Sequence, residues 1–157
     1  MVRKFAKLHD LRVEIVVPPA REDLLTWLLA GRGDLVAAGL TINDERKAQG
    51  VAFSRPYFQT QEMVVCRKDE AEMKSLSELA DRQVAVRPSS AYHQTLLDLQ
   101  RKGVSVQIQA AGEELETERL IDQVALGKLP LTMADGHLLA LETTYRDDVK
   151  ACLKLDR

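Results

Sequence analysis

The sequence is poor in aromatic residues and in cysteine, and neither sign of charge dominates it. Aromatic side chains make up 4% of its 157 residues, and 22 Lys and Arg stand against 24 Asp and Glu for a net charge of −2. This composition gives no electrostatic or base-stacking case for nucleic acid, which is therefore not an expected partner. The two cysteines, Cys66 and Cys152, are too few for a disulfide scaffold and lack metal-ligand spacing, and we expect no metal or cofactor.

Long hydrophobic runs are also missing. The longest one, over residues 24–30, ends at Gly31 and falls far short of the roughly 20 residues that a membrane span needs. The basic start at residues 1–4 runs into a mixed polar segment, so no signal peptide is expected within these residues. Hydrophobic residues make up 45% and charged residues 29%, a profile typical of a globular chain.

Signals for strands and helices alternate along the chain. Apolar alternation and branched residues predict strands at residues 11–17, 34–40, 62–67, 83–87, 104–108, 129–134 and 149–155. Apolar residues at helical spacing predict helices at residues 2–8, 21–30, 88–102 and 114–126, a helical turn at 75–79, and a helix after Asp135. Such alternation favours βαβ units and a parallel sheet. Two successive α/β sets, joined near Lys68, predict two lobes rather than one large sheet.

Loops at the carboxyl ends of the predicted strands are where ligands of such sheets bind. In the first of these loops, Gly39 lets a ligand approach the backbone, Thr41 offers a hydroxyl and an amide, and Arg46 can form a two-pronged pair with a carboxylate. The alternative is that Thr41 caps a short helix while Arg46 pairs with a nearby surface charge. The same residues thus have a binding and a structural interpretation.

Two more loops of this kind lie in the second half. Ser89 and Ser90 stand before a helix, whose free amides and dipole favour an anion, although a serine cap is the commoner use of that position. Asp135 directly follows a predicted strand, where its carboxylate can hold a ligand ammonium or cap the next helix. Spacing alone leaves both interpretations open for each residue.

The sequence shows no recognisable catalytic set. It has no nucleophile elbow, phosphate-binding glycine loop or HExxH motif, and its three histidines are scattered. An acidic cluster over residues 113–118 contains carboxylates of the kind that glycosidases use, but such residues at a helix start usually complement the helix dipole. The residues therefore favour binding over catalysis, while a stand-alone enzyme and a degenerate domain without a ligand stay open as other classes.

Several segments resemble, in order and spacing, the bacterial extracellular solute-binding proteins of family 3. They are residues 29–41, 45–46, 53–57, 75–79, 88–90, 124–128 and 134–135. The resemblance implies an α/β, two-lobed periplasmic binding protein type 2 fold, truncated in the first lobe because the family begins with another strand. It implies a first lobe at residues 1–67, with a return strand at 149–157, and a second lobe at 68–148.

One subgroup of the family fits further segments. Residues 37–41, 89–96 and 120–135 are similar to the regulatory module of membrane-bound lytic transglycosylase F, which precedes a separate peptidoglycan-cleaving domain. The resemblance implies a non-catalytic module that binds a small zwitterion, such as an amino acid or a peptidoglycan-derived peptide, between two lobes. It further implies a periplasmic location, a membrane-anchored parent and a lytic transglycosylase domain as partner. The alternative is the amino-acid-binding receptor of an ABC transporter, with a permease as partner, which residues 53–57 fit equally well.

The resemblance also implies roles for individual residues. Positions that take the ligand carboxylate match Thr41 and Arg46 in the first lobe and Ser89 and Ser90 in the second. Positions that meet the ligand ammonium match Gly39 and Asp135. No residue of this chain is expected to act in catalysis.

Two structural consequences follow from the resemblance. A first lobe that lacks one strand exposes a sheet edge, which homodimerisation or strand exchange would cover. Cys66 and Cys152 fall on the two strands expected to cross side by side between the lobes, where an oxidising periplasm would join them if they face each other. Two independent buried thiols are the alternative.

Overall fold

The computed structural model describes residues 1–155, which fall into two units: Met1–Pro56 and the residues from Tyr57 onward. The last two positions of the predicted return strand, Asp156 and Arg157, lie outside the described residues.

The first unit consists of short helices joined by irregular segments. The helices are α1 (Val2–Leu8), α2 (Asp23–Leu29) and α3 (Asp44–Ala48). The strands predicted at residues 11–17 and 34–40, which are all described, are not formed. A strand is stable only with a hydrogen-bonded neighbour, and neither segment has one, so their apolar side chains stay exposed, as Ile15 does at 73% and Leu35 at 57%. The sheet edge on which the homodimer prediction rested is therefore not present in this unit.

The second unit is built on a five-stranded sheet in the order β3-β2-β4-β1-β5. Its strands are β1 (Glu62–Arg67), β2 (Gln83–Val86), β3 (Gln107–Ala110), β4 (Leu131–Asp135) and β5 (Val149–Leu155). Strand β2 runs parallel to β3 and β4, whereas β1 runs antiparallel to β4 and β5. The sheet is mixed rather than wholly parallel. Strands β1 and β5, predicted as first-lobe elements, belong to this sheet because β1 forms a continuous ladder with β4.

Three helices cover the two faces of this sheet. Helix α4 (Ala91–Arg101) places Leu96 and Leu99 in the core on one face. Helices α5 (Thr117–Ala125) and α6 (Gly136–Glu142) place Ile121 and Leu139 in the core on the other face. A 3₁₀ turn at Leu76–Leu79 joins the first of these cores through Leu79. Because both faces are covered, the central strands are apolar on both sides, which explains their nearly continuous hydrophobic sequence.

A β-bulge at Cys152 sets which side chains of β5 face which core. The register passes from Val64 opposite Leu153 to Val65 opposite Ala151, so Cys152 is the extra residue. Ala151 therefore packs on the α5 face, while Cys152 and Leu153 both lie on the α4 face. There Cys152 forms a disulfide with the buried Cys66, with Cα atoms 5.7 Å apart. Of the two alternatives for the cysteines, the structure has the disulfide.

Candidate functional site

In the first unit, Arg46 is held by the loop that precedes its own helix. Its side chain is largely buried, and Nη1 donates a hydrogen bond to the carbonyl oxygen of Thr41 at 2.7 Å. The helix α3 is capped by Asn43, whose Oδ1 accepts from the Arg46 amide at 2.9 Å, and not by Thr41. The structural alternative for Thr41, a helix cap, is thus wrong, and Thr41 instead fixes the guanidinium through its backbone.

Gly39 lies two residues before this carbonyl and has a positive φ of 60°. This left-handed conformation is readily available to glycine and costs other residues about 1 kcal/mol or more. The backbone turn thus gives a reason for glycine at this position that does not depend on a ligand. Gly39, Thr41 and Arg46 lie in one loop-and-helix segment of the first unit.

In the second unit, the other predicted residues lie at the carboxyl ends of two neighbouring strands. Strands β2 and β4 are parallel neighbours, with Val84 opposite Leu131 and Ala85 opposite Thr132. Their carboxyl ends therefore lie together, and the loops that carry Ser89 and Asp135 start from adjacent strands. Ligands of α/β sheets bind at the carboxyl ends of the strands.

Ser90 is the N-cap of helix α4. Its Oγ accepts from the His93 amide at 3.2 Å and donates to the Arg87 carbonyl at 2.7 Å. Its own backbone amide also donates to the Arg87 carbonyl, at 3.0 Å. Both hydrogen-bond donors of Ser90 are thus bound to the Arg87 carbonyl, so this residue shapes the loop that precedes α4.

Ser89 makes a two-point contact with a carboxylate of the chain itself. Its backbone amide donates to Oε1 of Glu113 at 2.8 Å, and its hydroxyl donates to Oε2 of the same side chain at 2.5 Å. Ser89 is exposed and Glu113 is half-buried. The loop before α4 therefore does offer paired donors to a carboxylate, as its sequence predicts, but Glu113 occupies them.

Asp135 ends strand β4 and occupies the N-cap position of α6. Its side chain makes no capping hydrogen bond to that helix, which separates it from an ordinary cap. Its backbone amide donates to the hydroxyl of Tyr92, in the first turn of α4, at 3.0 Å. Burial raises the pKa of the Tyr92 phenol, and the negative charge of Asp135 raises it further.

A second carboxylate stands beside Asp135. Glu62 is the register partner of Asp135 across the antiparallel β1–β4 ladder and is only 3% exposed. Its charge also contributes to the raised pKa of Tyr92. Two carboxyl groups therefore lie together at one end of the sheet, where they offer oxygen acceptors to a positively charged ligand group.

An ion pair holds the neighbouring loops together. Nη1 of Arg87, at the end of β2, donates to Oε2 of Glu116 at 2.8 Å, and the Arg87 side chain is almost wholly buried. Glu116 is the N-cap residue of α5, so this pair fixes the start of α5 against the end of β2. Two members of the acidic cluster, which was predicted to complement a helix dipole, therefore have separate partners. Glu116 pairs with Arg87, and Glu113 accepts hydrogen bonds from Ser89.

Sequence reasoning missed Tyr92, Glu62 and Glu113 as members of this region. Tyr92 follows the Ser90 cap by two residues, so its position near this loop could be predicted from the sequence. Its contact with Asp135 could not, because that contact depends on the packing of α4. Glu62 and Glu113 reach the site through the β1–β4 ladder and the loop after β3, neither of which local spacing shows.

Within the part of the chain that the structure describes, no group of three metal-ligating side chains is present. No helix among residues 1–155 is long and apolar enough to cross a membrane.

Comparison with known proteins identifies the family of the chain. The family model of the bacterial extracellular solute-binding proteins, family 3, matches residues 1–152, and the chain belongs to this family. An ancestral arginine-binding protein bound to arginine superposes with a TM-score of 0.79 and 25% identity, over 98% of this chain and 66% of its own. These findings confirm the predicted family and its two-lobed type 2 periplasmic binding fold.

Other relatives show the breadth of the match. The membrane-bound lytic murein transglycosylase F of Desulfosudis oleivorans is 30% identical over 148 residues, which cover 94% of this chain and 32% of the relative. The amino acid ABC transporter substrate-binding protein AbpA from Streptococcus pneumoniae, bound to L-arginine, has a TM-score of 0.80 at 20% identity, over 99% of this chain and 63% of its own. The latter likeness shows the fold alone. The chain spans about a third of the length of the curated relatives it matches.

Proposed function

We propose that the chain is a non-catalytic solute-binding module that takes a small zwitterion, an amino acid or a peptidoglycan-derived peptide. The observation that carries this proposal is the position of Asp135 at the carboxyl end of β4, beside the hydroxyl of Tyr92. Tyr92 fixes its backbone, and the Glu62 carboxyl group lies opposite it in the β1–β4 ladder. A carboxylate held in this way is suited to a ligand ammonium.

The residues proposed to meet a ligand carboxylate are Arg46, Thr41, Ser89 and Ser90. Arg46 provides the permanent positive charge, oriented by its bond to Thr41, and Gly39 gives the ligand access to the backbone of the same segment. Ser89 provides a backbone amide and a hydroxyl. Ser90, whose donors are engaged with Arg87, acts by holding the loop in shape.

The parent protein is proposed to be a periplasmic, membrane-anchored lytic transglycosylase of the F type. The support is that curated relatives matched over nearly the whole chain carry that name. In such a protein, ligand binding would regulate the peptidoglycan-cleaving domain. The other candidate is the receptor of an amino-acid ABC transporter, which solved neighbours bound to arginine favour. A lytic domain encoded in the same gene would support the first, and adjacent permease and ATPase genes the second.

Calorimetric titration with a panel of amino acids and muropeptides tests the binding function. L-arginine is the first probe, because a neighbour at 25% identity is bound to it. We expect Arg46→Gln and Asp135→Asn each to weaken the binding of a panel ligand by about tenfold or more, since each removes a charge-assisted hydrogen bond. Matched controls are Arg12→Gln and Asp147→Asn, which make the same changes at exposed positions. A ligand whose affinity both site variants leave unchanged would contradict the proposal.

A further inference from the structure

The donors of Ser89 face the same chemical group that a ligand would bring. Glu113 presents two carboxylate oxygens to the Ser89 amide and hydroxyl, at 2.8 and 2.5 Å. A ligand carboxylate bound at Ser89 would use the same two donors. Since each donor has one hydrogen to give, the ligand and Glu113 cannot both be fully bonded there.

The loop that carries Glu113 is anchored independently of this contact. The Ala111 amide donates to the carbonyl of Val86 at 3.0 Å, on one side of Glu113. On the other side, the Arg87–Glu116 pair fixes the start of α5. The Glu113 side chain can therefore leave Ser89 while both ends of its loop stay attached to the end of β2.

From this arrangement we propose that Glu113 is a built-in competitor of the ligand carboxylate at Ser89, and that it lowers the affinity of the module. This inference rests on the proposed function, because it concerns the same Ser89 contact. It assigns to Glu113 a part in setting affinity, distinct from the helix-start role that its sequence position indicates. A carboxylate ligand must displace Glu113 into solvent, where the freed side chain is hydrated.

Nuclear magnetic resonance of the Ser89 amide tests the competition without knowledge of the natural ligand. The probe is sodium acetate, the simplest carboxylate, added to the wild-type chain and to Glu113→Ala at constant ionic strength. We expect a progressive shift of the Ser89 amide resonance in Glu113→Ala and a response about tenfold weaker in the wild type. Glu114→Ala, which removes the adjacent exposed carboxylate, should respond like the wild type. Equal responses of the wild type and Glu113→Ala, or none in either, would overturn the inference.

Calorimetry with L-arginine extends the test to a zwitterion. Glu113→Ala should bind L-arginine several-fold more tightly than the wild type, and adding Ser89→Ala should remove that gain. Unchanged or weaker binding in Glu113→Ala would contradict the inference. If neither protein binds L-arginine or another zwitterion while acetate still shifts Ser89 only in Glu113→Ala, the proposed function fails and the masking of Ser89 by Glu113 stands.

Discussion

The two units of this chain contain similar strand-forming sequence but differ in what they bury. In residues 1–56, the buried hydrophobic side chains are those of Ala6 and Val51, and apolar residues such as Ile15 and Leu35 are exposed. The second unit has a five-stranded sheet with a hydrophobic core on each face. An apolar, branched segment therefore becomes a strand only where the fold supplies a neighbour for its backbone hydrogen bonds.

The disulfide gives the largest expected difference between the units. Replacing Cys66 and Cys152 together by alanine should lower the free energy of unfolding of the second unit by about 4 kcal/mol, because the bridge closes a loop over a sequence separation of 86. Urea unfolding followed by circular dichroism measures this loss, and reduction of the wild type should reproduce it. A transition that neither treatment moves would show that the bridge does not constrain the unfolded chain.

A pair of leucine truncations compares the two units directly. Leu131→Ala, at a fully buried position of β4, should cost about 2–5 kcal/mol, since it leaves a cavity in the core. Leu35→Ala, at a position 57% exposed in the first unit, should cost about 0.5 kcal/mol or less. Chemical denaturation of both variants gives the two values. Similar losses for the two leucines would mean that residues 1–56 have a core of their own, and that the two units do not differ in what they bury.

Two helix caps provide a smaller contrast. Ser90→Ala should destabilise the second unit by about 1 kcal/mol, because the amide of His93 loses its acceptor at the start of an 11-residue helix packed on the sheet. Asn43→Ala removes the equivalent bond from a five-residue helix, and its effect should be confined to faster hydrogen exchange of the Arg46 amide. An equal change in global unfolding for both variants would contradict this expectation.

The smallest effect concerns the far end of the second unit. The Arg146 guanidinium donates to Asp148 at 2.7 Å and lowers the pKa of that carboxyl. A lowered pKa stabilises the folded state above the ordinary carboxyl pKa, and this contribution is lost as the pH falls through the folded value. In Arg146→Gln, the pKa of Asp148 should rise toward its ordinary value. Carbon-13 titration of the aspartate carboxyls measures it, with Asp147→Asn to confirm the assignment; an unchanged value would exclude Arg146 as the cause.

The sequence predicts local features of this protein better than it predicts long-range ones. The bounds of β1 and β5 agree with the predictions because each strand is a short, largely apolar run between polar segments. The bulge at Cys152 was not predictable, since an uninterrupted alternation would place Ala151 and Leu153 on the same face. The position of Asp135 at a strand end followed from a general rule for such sheets. Its contact with Tyr92 and the contact of Ser89 with Glu113 join residues 43 and 24 positions apart, beyond the reach of local patterns.

The charge requirements of the ligand test the proposed roles of Arg46 and Asp135. Calorimetry would compare L-arginine with Nα-acetyl-L-arginine, which lacks the ammonium, and with L-argininamide, which lacks the carboxylate. We predict that each derivative binds the wild type at least about tenfold more weakly, that Asp135→Asn abolishes the penalty of acetylation, and that Arg46→Gln abolishes the penalty of amidation. Derivatives that bind the wild type as tightly as L-arginine itself, or penalties that both variants leave intact, would contradict the account.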